Sequence, residues 1–380
     1  MSIGVLRRTA TVSFTVIGLL ALPLLGGSAS AAPSADGATS AGGAHAAPAS
    51  DHRSAKVVPV ARDLAIERYV ALGDSYTAGP LIPWPRFDPV GCLKSTRNYP
   101  EYLSRELGLD DYTDESCSGA QTSHMTSEQS VPLGTNQPQF DALSADTDLV
   151  SVGIGGNDFG TFGNLVDSCP GFRDADPTGS PCREHYTVDG VDTISANLPE
   201  IGERIATLIT GIRERSPDAE IVVVGYPRLV PPEGTCTDVI PFADGDYAWA
   251  DSVERGLNQE ISEAASSGGA LFVDTYAASL GHDACAGDEA WINGRNHDYF
   301  GAASYHPFQS YMAAAGSLAF DVVSGEAPNP ARAAKAARLA RSQAEASVSS
   351  RSLPPEAERA AAELGIVDGG TRTSGLCPVS

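Results

Sequence analysis

The segment Tyr69-Val-Ala-Leu-Gly-Asp-Ser-Tyr-Thr-Ala-Gly79 constrains this chain more than any other. Its first residues are apolar at consecutive positions, the pattern of a strand buried on both faces of a sheet. The run then stops at Gly73-Asp74-Ser75, and small residues follow. A serine carried by a buried strand into a tight turn before a helix can present its hydroxyl at the carboxyl edge of a sheet, where open α/β folds keep their chemistry. Taken alone, a Gly-Asp-Ser turn is often only a turn, so the reading depends on the rest of the chain.

The rest repeats the pattern of strand, loop and helix. Strands are expected at Arg68–Leu72, Asp111–Glu115, Asp148–Ile154, Glu220–Gly225 and Ala270–Asp274. Helical periodicity covers Pro100–Leu107, Leu198–Arg215, Tyr247–Ala265 and Phe308–Val323. This alternation predicts a three-layer α/β/α sandwich. Three long loops carry Cys and Pro: Ile82–Arg97, Phe162–Thr187 and Pro227–Asp246. Loops of that length in a compact domain are functional or cross-linked, and these are expected to wall a substrate cleft.

Three further segments change the weight of Ser75. Asp148-Leu-Val-Ser-Val-Gly-Ile-Gly-Gly-Asn-Asp158 is a second strand running into a glycine turn, Ser116-Cys-Ser-Gly-Ala120 lies before it, and Ser304-Tyr-His-Pro307 precedes a helical run. The set Ser75, Gly119, Asn157, His306, in that order, resembles the SGNH (GDSL) family of esterases and lipases, and within it the secreted actinomycete lipases with three disulfides. The resemblance covers roughly residues 65 to 322. It implies a five-stranded parallel sheet in flavodoxin-like order. It also implies Ser75 as nucleophile, His306 as general base, and an oxyanion hole made of the Ser75 N–H, the Gly119 N–H and the Asn157 side chain.

The residue types suit those roles. Acyl transfer needs a nucleophile, a base and oxyanion donors. Imidazole titrates near neutral pH, glycine lets backbone approach closely, and a neutral amide donates without titrating. No step requires a metal or a cofactor. Asp74 and Asp158 are expected to accept backbone amides and fix the two turns. His124, His185, His282 and His297 have no partner motif and are read as surface or loop residues. Tyr76, Trp84, Phe87 and Phe159 are candidates for an apolar acyl pocket. The chain departs from the family where most members carry Asp three residues before the histidine; here the residue is Ala303. The carbonyl of Ala303 or Ser304 is therefore expected to orient His306, with Asp298 or Asp274 as the carboxylate alternatives.

The cysteines and the N-terminus bear on compartment. Residues 1–31 combine a basic start at Arg7-Arg8, a short apolar core and Ala29-Ser30-Ala31, the make-up of a signal peptide cleaved after Ala31. Six of the seven cysteines fall in the presumed catalytic region; an even set in an exported chain reads as disulfides. By resemblance they pair as neighbours, Cys92–Cys117, Cys169–Cys182 and Cys236–Cys285, leaving Cys377. The absence of any Cys-x-x-Cys pair argues against structural zinc. Residues 32–63, rich in Ala, Gly, Ser and Pro, are expected to be a flexible linker, and 64–325 the hydrolase domain. In 326–380, Arg332, Lys335, Arg338 and Arg341 recur every third residue, giving a broad basic face on a solvated tail that is expected to be disordered or partly helical. The net charge of −23 argues against nucleic-acid partners. Together these features predict an extracellular, monomeric hydrolase of lipid or other small ester substrates without a stable membrane anchor. A carbohydrate acetylesterase with the same site, or a non-catalytic secreted binding protein of the same fold, is the alternative.

Overall fold

A computed structural model describes residues 66–349. The expected signal peptide, the linker at 32–63 and Cys377 lie outside the described residues.

Five strands, β1 (Arg68–Gly73), β2 (Asp111–Asp114), β3 (Leu149–Gly153), β4 (Glu220–Val224) and β5 (Leu271–Val273), form a parallel sheet in the order β2-β1-β3-β4-β5. Tyr69 pairs with Tyr112 on one side and with Leu149 on the other, and Ile221 pairs with Val150. Side chains alternate across the sheet, so each apolar run supplies two cores. Val70, Leu72, Val150, Val152, Ile221 and Val223 meet helices α2 (Leu198–Arg215) and α3 (Asp246–Ser267) on one face. Tyr69, Ala71, Leu149, Val222, Val224 and Val273 meet α1 (Tyr99–Leu107) and α4 (Gln309–Val323) on the other. The expected α/β/α sandwich and flavodoxin-like order are present. The helix starts follow local chemistry: Asn98 caps α1 by accepting the Glu101 N–H, and Pro stands in the first turn of both α1 and α2, where its missing donor costs nothing.

The loops are cross-linked as the resemblance implied, by Cys92–Cys117, Cys169–Cys182 and Cys236–Cys285. In a chain-entropy account each adds roughly 2–4 kcal/mol.

The tail differs from its expected solvated form. Pro330–Ser349 is a helix, α5, and Ala333, Ala337 and Ala340 are buried along one side of it, with Ala333 and Ala337 in the core that α4 lines. The basic residues divide accordingly. Arg332 pairs with the buried Asp321 and with Glu106, and its guanidinium lies 4.6 Å over the Phe320 ring. Arg341 donates to the Ala290 carbonyl, while Lys335 and Arg338 face water.

Candidate active site

Strand β1 ends at Gly73, whose φ of +151° and crowding exclude a side chain: a Cβ there would lie 2.2 Å from Thr77 Oγ1 and 2.7 Å from the Gly153 carbonyl. The chain turns at Asp74, which caps the one-turn helix Ser75–Ala78 by accepting the Tyr76 N–H. Ser75 is thereby set, buried, at the start of that turn. Strand β3 ends in the same way, and the Asp74 N–H donates to the Gly153 carbonyl, so the two strand ends are joined.

A single buried tyrosine strengthens that joint. The Gly156 N–H donates to Tyr226 Oη, and Tyr226 Oη donates to Asp74 Oδ2. Burial pushes the Asp74 carboxyl up from the ordinary 3.8 to about 7, although the Tyr226 and Tyr76 hydrogen bonds favour its charged form. The folded protein thus holds this proton more tightly than the unfolded chain, and stability falls as pH rises from about 4 to 7. Asp74→Asn is expected to remove a slope of up to roughly 1.4 kcal/mol per pH unit. Denaturant unfolding of both proteins across that window measures it; parallel curves would refute the shift.

The Gly119 loop reaches the site from β2. Buried Asp114 accepts from the Ser116 N–H, Ser116 Oγ and Asn98 Nδ2, and its carbonyl accepts from the buried Lys94 ammonium. Cys92–Cys117 and the Cys117 N–H donating to the Gly73 carbonyl then hold the loop against β1. Gly119 has φ +77°, a conformation that favours glycine. Asn157 Nδ2 donates to the Ala120 carbonyl at 2.9 Å, which sets the Asn157 amide beside Gly119's neighbour. Among the described residues, neither the Ser75 N–H nor the Gly119 N–H donates to another protein group. Asp158 is fully buried and accepts from the Thr122 N–H, the Thr122 hydroxyl and Arg204. Asp74 and Asp158 thus both bind backbone amides, as expected.

His306 sits on the loop between β5 and α4. Its Nδ1 lies 2.7 Å from the Ser304 carbonyl. The Ala303 carbonyl, the other expected orienter, instead accepts the His306 N–H at 3.2 Å and Asn293 Nδ2 at 3.1 Å. Neither carboxylate alternative touches the ring: Asp298 accepts from the Phe300 N–H, and Asp274 caps Thr275–Ala278. Tyr305 adopts φ +59°, uncommon for a bulky residue. Asn293 Nδ2 on the Ala302 and Ala303 carbonyls and Tyr76 Oη on the Tyr305 carbonyl hold it there. Burial lowers the His306 pKa below the ordinary imidazole value, opposed by the Ser304 hydrogen bond and by the Asp167 carboxylate.

Ser75, Tyr76, Asn157, Phe162, Tyr305 and His306 line one cleft of about 170 Å³. Three larger hollows, about 910 Å³ beside α2, about 770 Å³ beside the end of α5 and about 550 Å³ between Asp274 and the start of α5, contain none of the three residues Ser75, Asn157 and His306. Of the aromatic candidates only Tyr76 lines the cleft, its ring against Phe162, Tyr226 and His306. Trp84 and Phe87 are largely exposed, and Phe159 lies under the Arg204 guanidinium. Sequence reasoning missed Phe162, Tyr226 and Asn293. Phe162 opens a loop expected to wall the cleft, which was a usable signal; Tyr226 and Asn293 gave none. Among the described residues, no group of three or more His, Cys, Asp or Glu side chains is placed to hold a metal, and no helix is long and apolar enough to cross a membrane.

Comparison with known proteins agrees with this geometry. The GDSL-like lipase/acylhydrolase family pattern matches residues 71–310. "Lipase 2" of Streptomyces coelicolor is 36% identical over 296 residues, 76% of this chain and 87% of that protein. An "Esterase" of Streptomyces scabiei is 34% identical over 60% of this chain and 75% of its own length. Among solved structures, phospholipase A1 from Streptomyces albidoflavus superposes with a TM-score of 0.56 at 27% identity, covering 69% of this chain and all of that one. With a match over most of its length and the serine turn, glycine loop, asparagine turn and histidine loop in family order, this chain belongs to the GDSL-like lipase/acylhydrolase family and is a serine ester hydrolase.

Proposed function

We propose that this protein is a secreted, monomeric carboxylic-ester hydrolase acting on lipid esters through an acyl-enzyme on Ser75. In this reading Ser75 Oγ attacks the ester carbonyl while His306 Nε2 takes the hydroxyl proton. The resulting oxyanion is met by the N–H groups of Ser75 and Gly119 and by Asn157 Nδ2. Collapse breaks the C–O bond to the alcohol, which leaves with the proton from His306. Water then repeats the sequence on the acyl-serine and releases the acid. With no carboxylate on Nδ1, the Ser304 carbonyl fixes the tautomer that leaves Nε2 free to accept.

The observation that carries this reading is the convergence of Ser75, Asn157 and a carbonyl-tethered His306 on one cleft. The lipid preference draws support from the apolar walls supplied by Tyr76, Phe162 and Val166 and from relatives named lipase and phospholipase A1. Export draws support from the three disulfides. Hydrolysis of p-nitrophenyl esters from acetyl to palmitoyl tests it: rates that rise with acyl length place the enzyme among lipases, and activity confined to acetyl esters and acetylated glycans moves it to the carbohydrate esterases.

The lowered His306 pKa makes a second prediction. The base must be neutral to act, so the acid limb of kcat/KM should fall below the ordinary imidazole value of about 6.5. Asp167 raises the His306 pKa, so Asp167→Asn should move that limb to still lower pH. A limb that stays in place or moves upward would contradict the assignment.

A further inference from the structure

We propose that His297 is a positioning residue for His306, acting through the backbone of Ser304. This rests on the reading of His306 as the base. The Ser304 N–H donates to His297 Nδ1 at 3.0 Å, and the carbonyl of the same residue accepts from His306 Nδ1 at 2.7 Å. One residue therefore stands between two imidazoles, held at its N–H and at its C=O. The two bonds lie in the two successive peptides that meet at the Ser304 Cα, so fastening the N–H narrows the backbone angles that aim the C=O at His306. The Ser304 carbonyl stands where a carboxylate would otherwise orient the base.

His297 completes what the rest of the loop begins. Asn293 Nδ2 holds the Ala302 and Ala303 carbonyls, the Tyr305 N–H donates to the Gly294 carbonyl, and Tyr76 Oη holds the Tyr305 carbonyl. Those bonds fix the residues on either side of Ser304, and His297 takes the Ser304 N–H itself. The left-handed Tyr305 makes the peptide geometry costly to hold, so an added anchor has something to resist. The His297 backbone lies between two fastened stretches: Asn293 Nδ2 donates to the Asn296 carbonyl, and Asp298 and Ala302 exchange both of their backbone hydrogen bonds. Its side chain is exposed, and its ring contact is with Tyr299 at 5.9 Å. Burial therefore gives no reason for an imidazole here; the acceptor nitrogen does. Accepting at Nδ1 places the His297 proton on Nε2.

His297→Phe keeps a ring and deletes the acceptor. His297→Asn keeps an acceptor, because Asn Oδ1 occupies the position of imidazole Nδ1. With wild-type activity as the baseline, His297→Phe is expected to lower kcat by about five- to tenfold, the weight of one neutral hydrogen bond, with KM unchanged. His297→Asn should stay within twofold of wild type. A His297→Phe enzyme with wild-type kcat, or an Asn variant as slow as the Phe variant, overturns the proposal. The His306 Nδ1 proton resonance, assigned by its loss in His306→Gln, gives a readout that needs no turnover. It should move in His297→Phe and stay in place in His297→Asn, and an unmoved resonance overturns the proposal. If the wild type cleaves none of the esters, the reading of His306 as base fails, while the resonance still decides whether His297 sets the His306 hydrogen bond.

Discussion

Ser75→Ala is expected to cut ester hydrolysis by about four to six orders of magnitude, the loss seen when the nucleophile of a serine–histidine site is removed. The change deletes one oxygen. It leaves untouched the bonds that make the turn: the Tyr76 N–H to Asp74 Oδ1, the Asp74 N–H to the Gly153 carbonyl, and the Gly79 N–H to the Ser75 carbonyl. The melting temperature should therefore stay at the wild-type value while turnover disappears. What survives should come from the oxyanion donors and from binding, which act on water as they act on serine. Labelling by a fluorophosphonate probe should vanish in parallel. Substantial hydrolysis by a folded Ser75→Ala protein would remove Ser75 from the chemistry.

Asn157→Ala carries the next largest effect, about a hundred- to a thousandfold in kcat, the measured range for one oxyanion donor. Asn157 Nδ2 gives one of its hydrogens to the Ala120 carbonyl, which leaves the other for the substrate oxygen. The loss should fall on kcat, because the oxyanion exists only after attack. Asn157→Asp should be at least as damaging despite its matching shape, since it replaces a donor with a negative charge where negative charge develops. The same asparagine also ties two loops together, and Gln121→Ala separates that role: Gln121 Nε2 donates to the Asn157 carbonyl at 3.2 Å, outside the proposed hole. A few-fold loss there beside a large loss in Asn157→Ala assigns the effect to the amide. Equal losses in the two variants would make Asn157 a structural tie.

Most of the sheet was legible in the sequence because strands covered on both sides are written as continuous apolar runs, the edge strand Asp111–Asp114 being the exception. Their ends differ from expectation by a residue or so, where glycine and aspartate replace the apolar residues. The Ser75, Gly119 and Asn157 segments were legible for a related reason, since each closes or follows a strand with glycine or small polar residues, while the His306 segment stands just before the helical run of α4. Two kinds of feature were illegible. Backbone partners leave no letter: nothing in the string separates the Ala303 carbonyl from that of Ser304, and the acceptor role of His297 depends on an amide seven residues later. Long-range polar joints are equally silent, as between Tyr226 and Asp74, which lie 152 residues apart. The docking of helix α5 was illegible for a third reason. Its buried stripe is alanine, whose weak hydrophobicity is masked by arginines recurring every third residue, so a docked helix carried the signature of a solvated one.

The docking of α5 sets where this enzyme can be trimmed for production. The recognisable family region ends before it, which invites a stop codon near Gly325. A chain cut there would strip Asp321, 1% exposed in the intact protein, of both the Arg332 guanidinium and the Asn329 N–H. It would also bare the flank of α4 that Ala333 and Ala337 cover. Both are faults that favour inclusion bodies over soluble yield, so affinity tags and fusion partners belong beyond Ser349.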